Sequence, residues 1–359
     1  MESRQLGIAV VGAGRIGTLR ANMASRHPSV RFLAVADVDE ERATKLAKDV
    51  GAHFASCHNE DVIAHPEVGA VIVSTPEHAH AEPVLQALAL GKPVFLEKPI
   101  ALTLEDADAI IEAIERSGAE VVIGYSRRHD RQWMVAKEQI VQGRVGQILG
   151  MTARVYNSRA QMMEILKRSP EATPVLDALT YYVDMTCWYM GDVRPVEVVA
   201  RGNAHVFKSM GYSAHDVTFA IITFEDGAIV NLGICYALPA RYPTFGQSAR
   251  FEVLGTDGVI LLDQDHKDSI LFTDKGVPHA YVPGHEVNML FMQTNSSGDW
   301  ALGDYWGPIA NETRGWLDHL ATGRPCQSTT AREGRRTLEV TLAIEESARS
   351  GRPVQLSGR

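Results

Sequence analysis

Leu6-Gly7-Ile8-Ala9-Val10-Val11-Gly12-Ala13-Gly14-Arg15-Ile16-Gly17 is a short apolar run that ends in a G-x-G-x-x-G pattern and passes directly into the helical stretch Ile16 to Ser25. Such a run, closed by glycine, reads as a buried strand. Gly12 permits the tight turn, Gly14 lets the backbone approach a pyrophosphate, and Gly17 lets helix and strand pack closely. The helix N-terminus, starting at Arg15 and Ile16, offers free N–H groups to the anion. Asp37 closes the next apolar run, Phe32 to Ala36, 20 residues after Gly17. An acidic side chain at that place takes ribose hydroxyls of a dinucleotide. It also repels a 2′-phosphate, and Val38, Asp39, Glu40 and Glu41 bring no basic group, so NAD is expected over NADP, with Arg42 the first cation beyond. The plain alternative for Asp37 is a strand-end turn residue.

Outward from this motif, apolar runs continue at Ala70 to Val73, Val94 to Leu96 and Val121 to Ile123, with amphipathic stretches such as Glu40 to Val50 and Glu105 to Arg116 between them. The alternation predicts a doubly wound α/β domain with a parallel sheet. After about Ser126 the pattern changes to period-2 runs: Gln147 to Asn157, Val196 to Asn203, Val217 to Phe224, Ala228 to Tyr236, Arg250 to Leu254 and Val259 to Asp263. Glu225-Asp226-Gly227 and Gly255-Thr256-Asp257-Gly258 are hairpin signals. The expected fold class is α/β: an N-terminal Rossmann domain, residues 1–126, and a C-terminal α+β domain, residues 127–359, with a large open, mostly antiparallel sheet. Helices are expected near Asn311 to Thr322 and Ala331 to Ser350, the last packing back on the first domain.

The chain of 359 residues is 45% hydrophobic and 22% charged, values of an ordinary globular protein rather than a disordered or fibrous one. Its net charge of −9 repels phosphate backbones, which argues against a nucleic-acid partner. No apolar run approaches the ~20 residues that span a bilayer, so no membrane partner is expected either. Cys57, Cys187, Cys235 and Cys326 lie far apart with no metal-ligand spacing, so no metal is expected and a reducing cytoplasm fits best.

Ligands of doubly wound folds lie outside the carboxyl ends of the strands. There the chain carries Ser74-Thr75-Pro76-Glu77-His78-Ala79-His80 and Glu97-Lys98-Pro99, the proline disfavouring a helical conformation at Lys98. Together with the glycine motif and Gly124-Tyr125-Ser126-Arg127-Arg128, these segments resemble the glucose-fructose oxidoreductase and inositol dehydrogenase family, Gfo/Idh/MocA, over nearly the whole chain. The resemblance implies that Lys98 contacts cofactor and substrate hydroxyl, and that Ser74, Thr75, Pro76, His78, Glu97 and Arg127 belong to the cofactor site. It further implies an Asp followed four residues later by a proton-exchanging His or Tyr. The matching pair is Asp177 and Tyr181, with Thr173-Pro174 and Leu179 where family members usually carry glycine.

On a helix, positions 177, 181 and 184 share a face, so Asp177 and Tyr181 are expected to face Lys98. Tyrosine with its pKa of about 10 is a poor base alone, and a neighbouring ammonium favours phenolate. Lys98 and Tyr181 are therefore read as a proton relay, with Asp177 binding a substrate hydroxyl. The bland alternatives are a surface lysine, a core tyrosine beside Tyr182, Trp188 and Tyr189, and, for His78 and His80, capping and packing. Asp184 reads equally as a capping or ion-pair residue. The substrate set is completed by Arg128 and Asn157. Of Arg127, Arg128, Arg131, Arg154 and Arg159, a pair would suit a substrate carboxylate; the alternative is that most make domain-interface or surface pairs. The loops Gln161 to Thr173 and Phe291 to Pro308 are long enough to be lids or partner contacts.

The expected activity is NAD-dependent hydride transfer from a secondary alcohol of a sugar, polyol or cyclic diol. Two alternatives remain: a transiently reduced, internally recycled NAD as in a glycosidase or epimerase cycle, and a non-catalytic NAD-binding sensor. The open sheet leads us to expect a homo-oligomer, and the resemblance implies a homodimer or homotetramer through it.

Overall fold

The computed structural model describes residues 4–169, 171–240, 248–264, 270–278, 286–291, 299–301 and 304–357. The chain divides into two compact units, Met1–His129 with Gly298–Leu338, and Asp130–Ser297 with Glu339–Arg359. A single cut after residue 126 places 298–338 with the second half, whereas this segment groups with the first. The reason is packing: Trp316, Leu317 and Ala321 of the helix Pro308–Thr322 share one core with Ile8, Val10 and Phe95. In addition, the two-residue strand Thr329–Thr330 pairs antiparallel with Val122 and Ile123. The last helix, Ala331–Ser350, contributes its residues through Leu338 to the first unit and the remainder to the second.

The first unit has strands β1 (Leu6–Val11), β2 (Val30–Ala36), β3 (Phe54–Ser56), β4 (Ala70–Val73), β5 (Val94–Glu97) and β6 (Val121–Gly124). They lie in the order β6-β5-β4-β1-β2-β3, paired in parallel. The chain leaves β1 for β2 and β3 on one side, then returns to β4 and runs to β6 on the other. The loops after β1 and β4 thus meet at the switch point where such sheets bind ligands. β4 and β6 are buried at every residue, as a parallel sheet covered on both faces requires. Helices α1 (Arg15–Ser25), α2 (Glu40–Val50), α3 (Asn59–Ala64), α4 (Ala81–Ala89) and α5 (Leu104–Ser117) connect them. Asp39 and Thr103 cap α2 and α5 by accepting from Arg42 and Asp106 backbone N–H groups, and Gly51 and Gly118 end the same helices in the left-handed conformation.

The second unit is built on β7 (Ile148–Ser158), β8 (Pro195–Asn203), β9 (Val217–Phe224), β10 (Ile229–Leu238), β11 (Ser248–Gly255), β12 (Gly258–Asp263), β13 (Ile270–Pro278) and β14 (Glu286–Phe291). Their order is β14-β13-β12-β11-β7-β10-β9-β8, with Val354–Gln355 on the outer edge of β8. Every pairing is antiparallel except β7 with β10. Its helices are α6 (Arg131–Val141), α7 (Arg159–Arg168), α8 (Thr180–Met190) and α9 (His205–Ser209). One sheet face supplies Met151, Val155, Ala220, Ile222, Val230, Phe251 and Val253 to a core shared with Trp133, Tyr182 and Val183. The opposite face keeps Phe219, Ile221, Ile229, Leu254, Phe272 and Met289 exposed.

The stretch Gln161 to Thr173, expected as a loop, is helical through Arg168. Met162 and Leu166, four apart, bury the same helix face, and Arg159 ties the helix start to the Leu238 and Ala237 carbonyls. In the segment Phe291 to Pro308, residues 292–298 and 302–303 lie outside the described residues. Of it, Asp299–Ala301 pairs with Asp304–Trp306.

Candidate active site

At the end of β1 the backbone turns through Gly12 at φ 99°, a conformation that side chains disfavour. A Cβ there would lie 2.6 Å from the Ser74 carbonyl oxygen, and one on Gly17 would lie 1.8 Å from the Gly12 carbonyl oxygen. These two glycines let strand, loop and helix close on one another. Gly14 differs, because a Cβ on it would meet nothing within 4 Å. The space above Gly14 is open, and α1 begins there with no side-chain cap and no acidic residue in its first turn. Open space over uncapped N–H groups of Arg15 and Ile16 suits a phosphate.

Asp37 is buried at the end of β2. Its Oδ2 accepts from Ala13 N at 2.7 Å, and its Oδ1 accepts from Asp39 N at 3.0 Å and from Arg42 Nη2 at 2.7 Å. A carboxylate has about four lone-pair sites, so Oδ2 keeps one for a ribose hydroxyl. Arg42, the first cation after the acidic run, is therefore held by Asp37 itself. These features together fit a dinucleotide: an open glycine cradle for the pyrophosphate and an anchored carboxylate for the ribose.

The loops after β4 and β5 are joined by His80. Its ring is buried, with Nδ1 2.8 Å from the Pro99 carbonyl oxygen and Nε2 3.1 Å from the Thr75 carbonyl oxygen. Burial pushes the imidazole below its usual pKa, against the pull of those carbonyls and of Glu77 and Glu97. Neutral, the ring carries one N–H and donates to one of these two carbonyls, so His80 is a packing residue wedged between Thr75 and the segment around Lys98. Thr75 donates to the Ala79 carbonyl, and Pro76 and His78 are exposed. Lys98 is half-buried, and the Lys98-Pro99 peptide bond is cis.

Glu97 leads to residues the motif reading missed. Its Oε1 accepts from Arg20 Nε at 2.5 Å, while Arg20 Nη2 reaches Glu312 at 2.8 Å and Nη1 reaches Thr313 Oγ1 at 2.7 Å. Burial opposes the Arg20 charge, but the two carboxylates prevail and hold the guanidinium above its usual pKa. The available signal was a lone arginine on the sheet-facing side of α1; its partners in residues 312 and 313 were beyond any local pattern. Arg127 and Arg128 are both buried, and Arg128 Nη1 donates to Glu333 at 2.8 Å, an ion pair within this unit.

In the second unit Asp177 sits in a π-helical turn, Val175–Leu179, that leads into α8. π-turns carry an extra residue and recur at functional sites. Thr173 starts this turn by accepting from Leu176 N and donating to Glu345. Asp177 Oδ2 accepts from the Tyr236 hydroxyl at 2.8 Å, a partner from β10 that the helical spacing did not reveal. α8 is buried at every residue except Tyr181. Tyr182, Trp188 and Tyr189 fill the core, so the aromatic character of the helix is packing while Tyr181 keeps an accessible edge. Asp184, expected on the same face, is fully buried, and so is Asn157 on β7.

The family model described as "Oxidoreductase family, NAD-binding Rossmann fold" matches residues 6–125, and "Oxidoreductase family, C-terminal alpha/beta domain" matches residues 137–356. The chain belongs to this GFO_IDH_MocA family and is an NAD-dependent dehydrogenase whose cofactor is NAD. It is 26% identical to myo-inositol 2-dehydrogenase of Thermotoga maritima over 97% of this chain and 98% of that one. It is also 26% identical to scyllo-inositol 2-dehydrogenase (NAD(+)) of Bacillus subtilis over 98% and 96%. Scyllo-inositol dehydrogenase from Lactobacillus casei, solved with bound NAD(H) and scyllo-inositol, shares the fold with a TM-score of 0.77 at 20% identity, covering 98% of this chain and 99% of that one.

Proposed function

We propose that the protein oxidises a secondary alcohol of a polyol, with cyclic polyols of the inositol type as the substrate class. The observation that carries this reading is the end-to-end similarity to two inositol dehydrogenases, combined with retention of Lys98 at the tip of β5. The cofactor supplies the hydride acceptor. The chain's part is to bind the ring, orient one hydroxyl and take its proton, a contribution of about 10²- to 10⁴-fold.

In this reading Lys98 and Tyr181 form the proton relay, and Asp177 accepts from a second substrate hydroxyl. Tyr236 donates to Oδ2 of Asp177 and so orients the carboxylate. Gly12, Gly14, Arg15, Ile16, Gly17, Asp37, Ser74, Thr75, Pro76, His78, Glu97, Lys98 and Arg127 make up the cofactor set. Asn157 is retained as a substrate residue. For Arg128 the ion pair with Glu333 supports a role in fixing the loop after β6 instead. The exposed apolar face of the second unit's sheet supports a homodimer or homotetramer through that face. Among the described residues no helix is long and apolar enough to cross a membrane, and all four cysteines are free, which supports a reducing cytoplasm.

The test is Lys98→Met and Tyr181→Phe. Each should lower kcat by at least about 10² while NAD binding, followed by titration of protein fluorescence, stays within several-fold. Full turnover in Tyr181→Phe would make the tyrosine structural, and full turnover in Lys98→Met would remove the relay altogether.

A further inference from the structure

The Glu97-Lys98-Pro99 segment is gripped on both sides of Lys98. Before it, Glu97 is bound by Arg20; after it, the Pro99 carbonyl is bound by His80. The Arg20 grip is elaborate for a structural ion pair. The guanidinium is 1% exposed, Glu312 0% and Glu97 13%, so the cluster lies out of water. Nε, Nη1 and Nη2 each have a different partner, and the plane lies over the Phe95 ring, 4.0 Å from its centroid. A planar fork held at three edges and one face cannot swivel, which a lysine in its place could not reproduce. The last residue of β6 leaves room for it: a Cβ on Gly124 would sit 3.1 Å from Arg20 Nη2 and 3.2 Å from Glu97 Oε2.

One guanidinium between two carboxylates gives a net negative cluster. Its second carboxylate is supplied by a helix more than two hundred residues further along the chain than Lys98. If Arg20 only paired Glu97, Glu312 would be a liability, because a buried carboxylate is costly to keep. With Glu312 present the guanidinium is shared, so Glu97 is fixed in place without being fully neutralised.

We propose that Arg20 and Glu312 are positioning residues for Lys98: Arg20 fixes the carboxylate adjoining it, and Glu312 sets how much of that carboxylate's charge the Lys98 amine feels. This rests on the reading of Lys98 as the proton-handling amine. The other charged and titratable groups around the cluster include His129, which burial holds neutral with Arg20 and Arg128 reinforcing it, the Cys326 thiol, which burial pushes up with Glu312 and Glu120 adding to it, and, around His80, Glu77 with Glu97.

The test uses the full chain without added cofactor. The rate at which acetic anhydride labels Lys98 is read by peptide mass spectrometry, with Lys45 and Lys48 of α2 as internal references. Arg20→Met frees Glu97 to hold the Lys98 ammonium, so labelling of Lys98 should slow several-fold. Glu312→Gln, nearly the same shape, removes one negative charge and leaves Glu97 better neutralised, so labelling should quicken. Opposite shifts with unchanged reference lysines support the proposal, because unfolding would raise both variants towards the reference rate. If Arg20→Met does not fold, Glu312→Gln alone still decides. An unchanged Lys98 rate in Glu312→Gln, or shifts of the same sign in the two variants, overturns the positioning role. Turnover by Lys98→Met at the parent rate would instead sink the reading of Lys98 as the reactive amine while leaving the labelling result intact.

Discussion

In the first unit a parallel sheet is buried on both faces, and what it presents to a ligand is largely backbone: the N–H groups above Gly14 and the loops after β1 and β4. In the second unit a mostly antiparallel sheet leaves one face open with Phe219 and Ile221 on it, while the proposed substrate residues Asp177 and Tyr181 are side chains of the π-turn and helix packed on the other face. Backbone sites constrain sequence tightly, because only glycine fits Gly12 and Gly17. Side-chain sites constrain it loosely, since a helix will hold Tyr at position 181 as readily as another polar residue. The cofactor was for that reason easier to read than the substrate.

The comparison can be broken first at the glycines. Gly17→Ala drives a Cβ into the Gly12 carbonyl and should cost about 3 kcal/mol of stability, seen as a large fall in Tm together with lost NAD binding. Gly14→Ala meets open space, so Tm should hold while NAD affinity drops by at least about 1.4 kcal/mol, a factor of about ten. Equal effects of the two changes on Tm would mean that the space over Gly14 is not kept for the cofactor.

The second unit is challenged on its open face. Phe219 covers Gly233, whose Cβ would lie 2.6 Å from the Phe219 ring, and Phe219 and Ile221 stand on one strand. Ile221→Asp should convert an oligomer to a folded monomer, measured by light scattering after gel filtration. A parent protein that is itself monomeric removes the proposed interface.

Acid should act on the first unit. Burial lowers His129 to about 4 and lowers His80 as well. Both are neutral in the folded chain, so the unfolded chain binds more protons once the pH falls below the ordinary imidazole value of about 6.5. Stability should therefore be full above about pH 6.5 and decline towards about pH 4, by about 3 kcal/mol from His129. His129→Asn should flatten part of that decline in chemical unfolding curves recorded across the range. The smallest effect is expected at Arg194 and Glu225, a solvent-exposed pair next to the β9–β10 hairpin. Glu225→Gln should leave Tm unchanged within error, as exposed pairs generally do.

Most strands of both units were legible because their apolar periods are those of a buried parallel sheet and a half-buried antiparallel one. β3 was not, since Phe54–Ser56 is three residues with no apolar run. The helix Arg159–Arg168 was read as loop because its apolar residues, Met162, Met163, Ile165 and Leu166, are interspersed with Arg, Gln, Glu and Lys over a short span. The return of residues 298–338 to the first unit depends on Trp316 and Leu317 packing against strands from the other end of the chain, a contact that no window of sequence contains. At the proposed site, the glycines and Asp37 were singled out by spacing, and Lys98 by its place after β5 and by the family resemblance. Arg20, Glu312 and Tyr236 were not, because their meaning lies in partners between 59 and 293 residues away.

The most direct measurement of the central claim is the appearance of reduced nicotinamide on mixing the protein with NAD and myo- or scyllo-inositol, with NADP in parallel. The expected result is net NAD reduction by at least one cyclic polyol, abolished in Lys98→Met and much weaker with NADP. NAD binding without net reduction across a panel of inositols, sugars and sugar acids would contradict it.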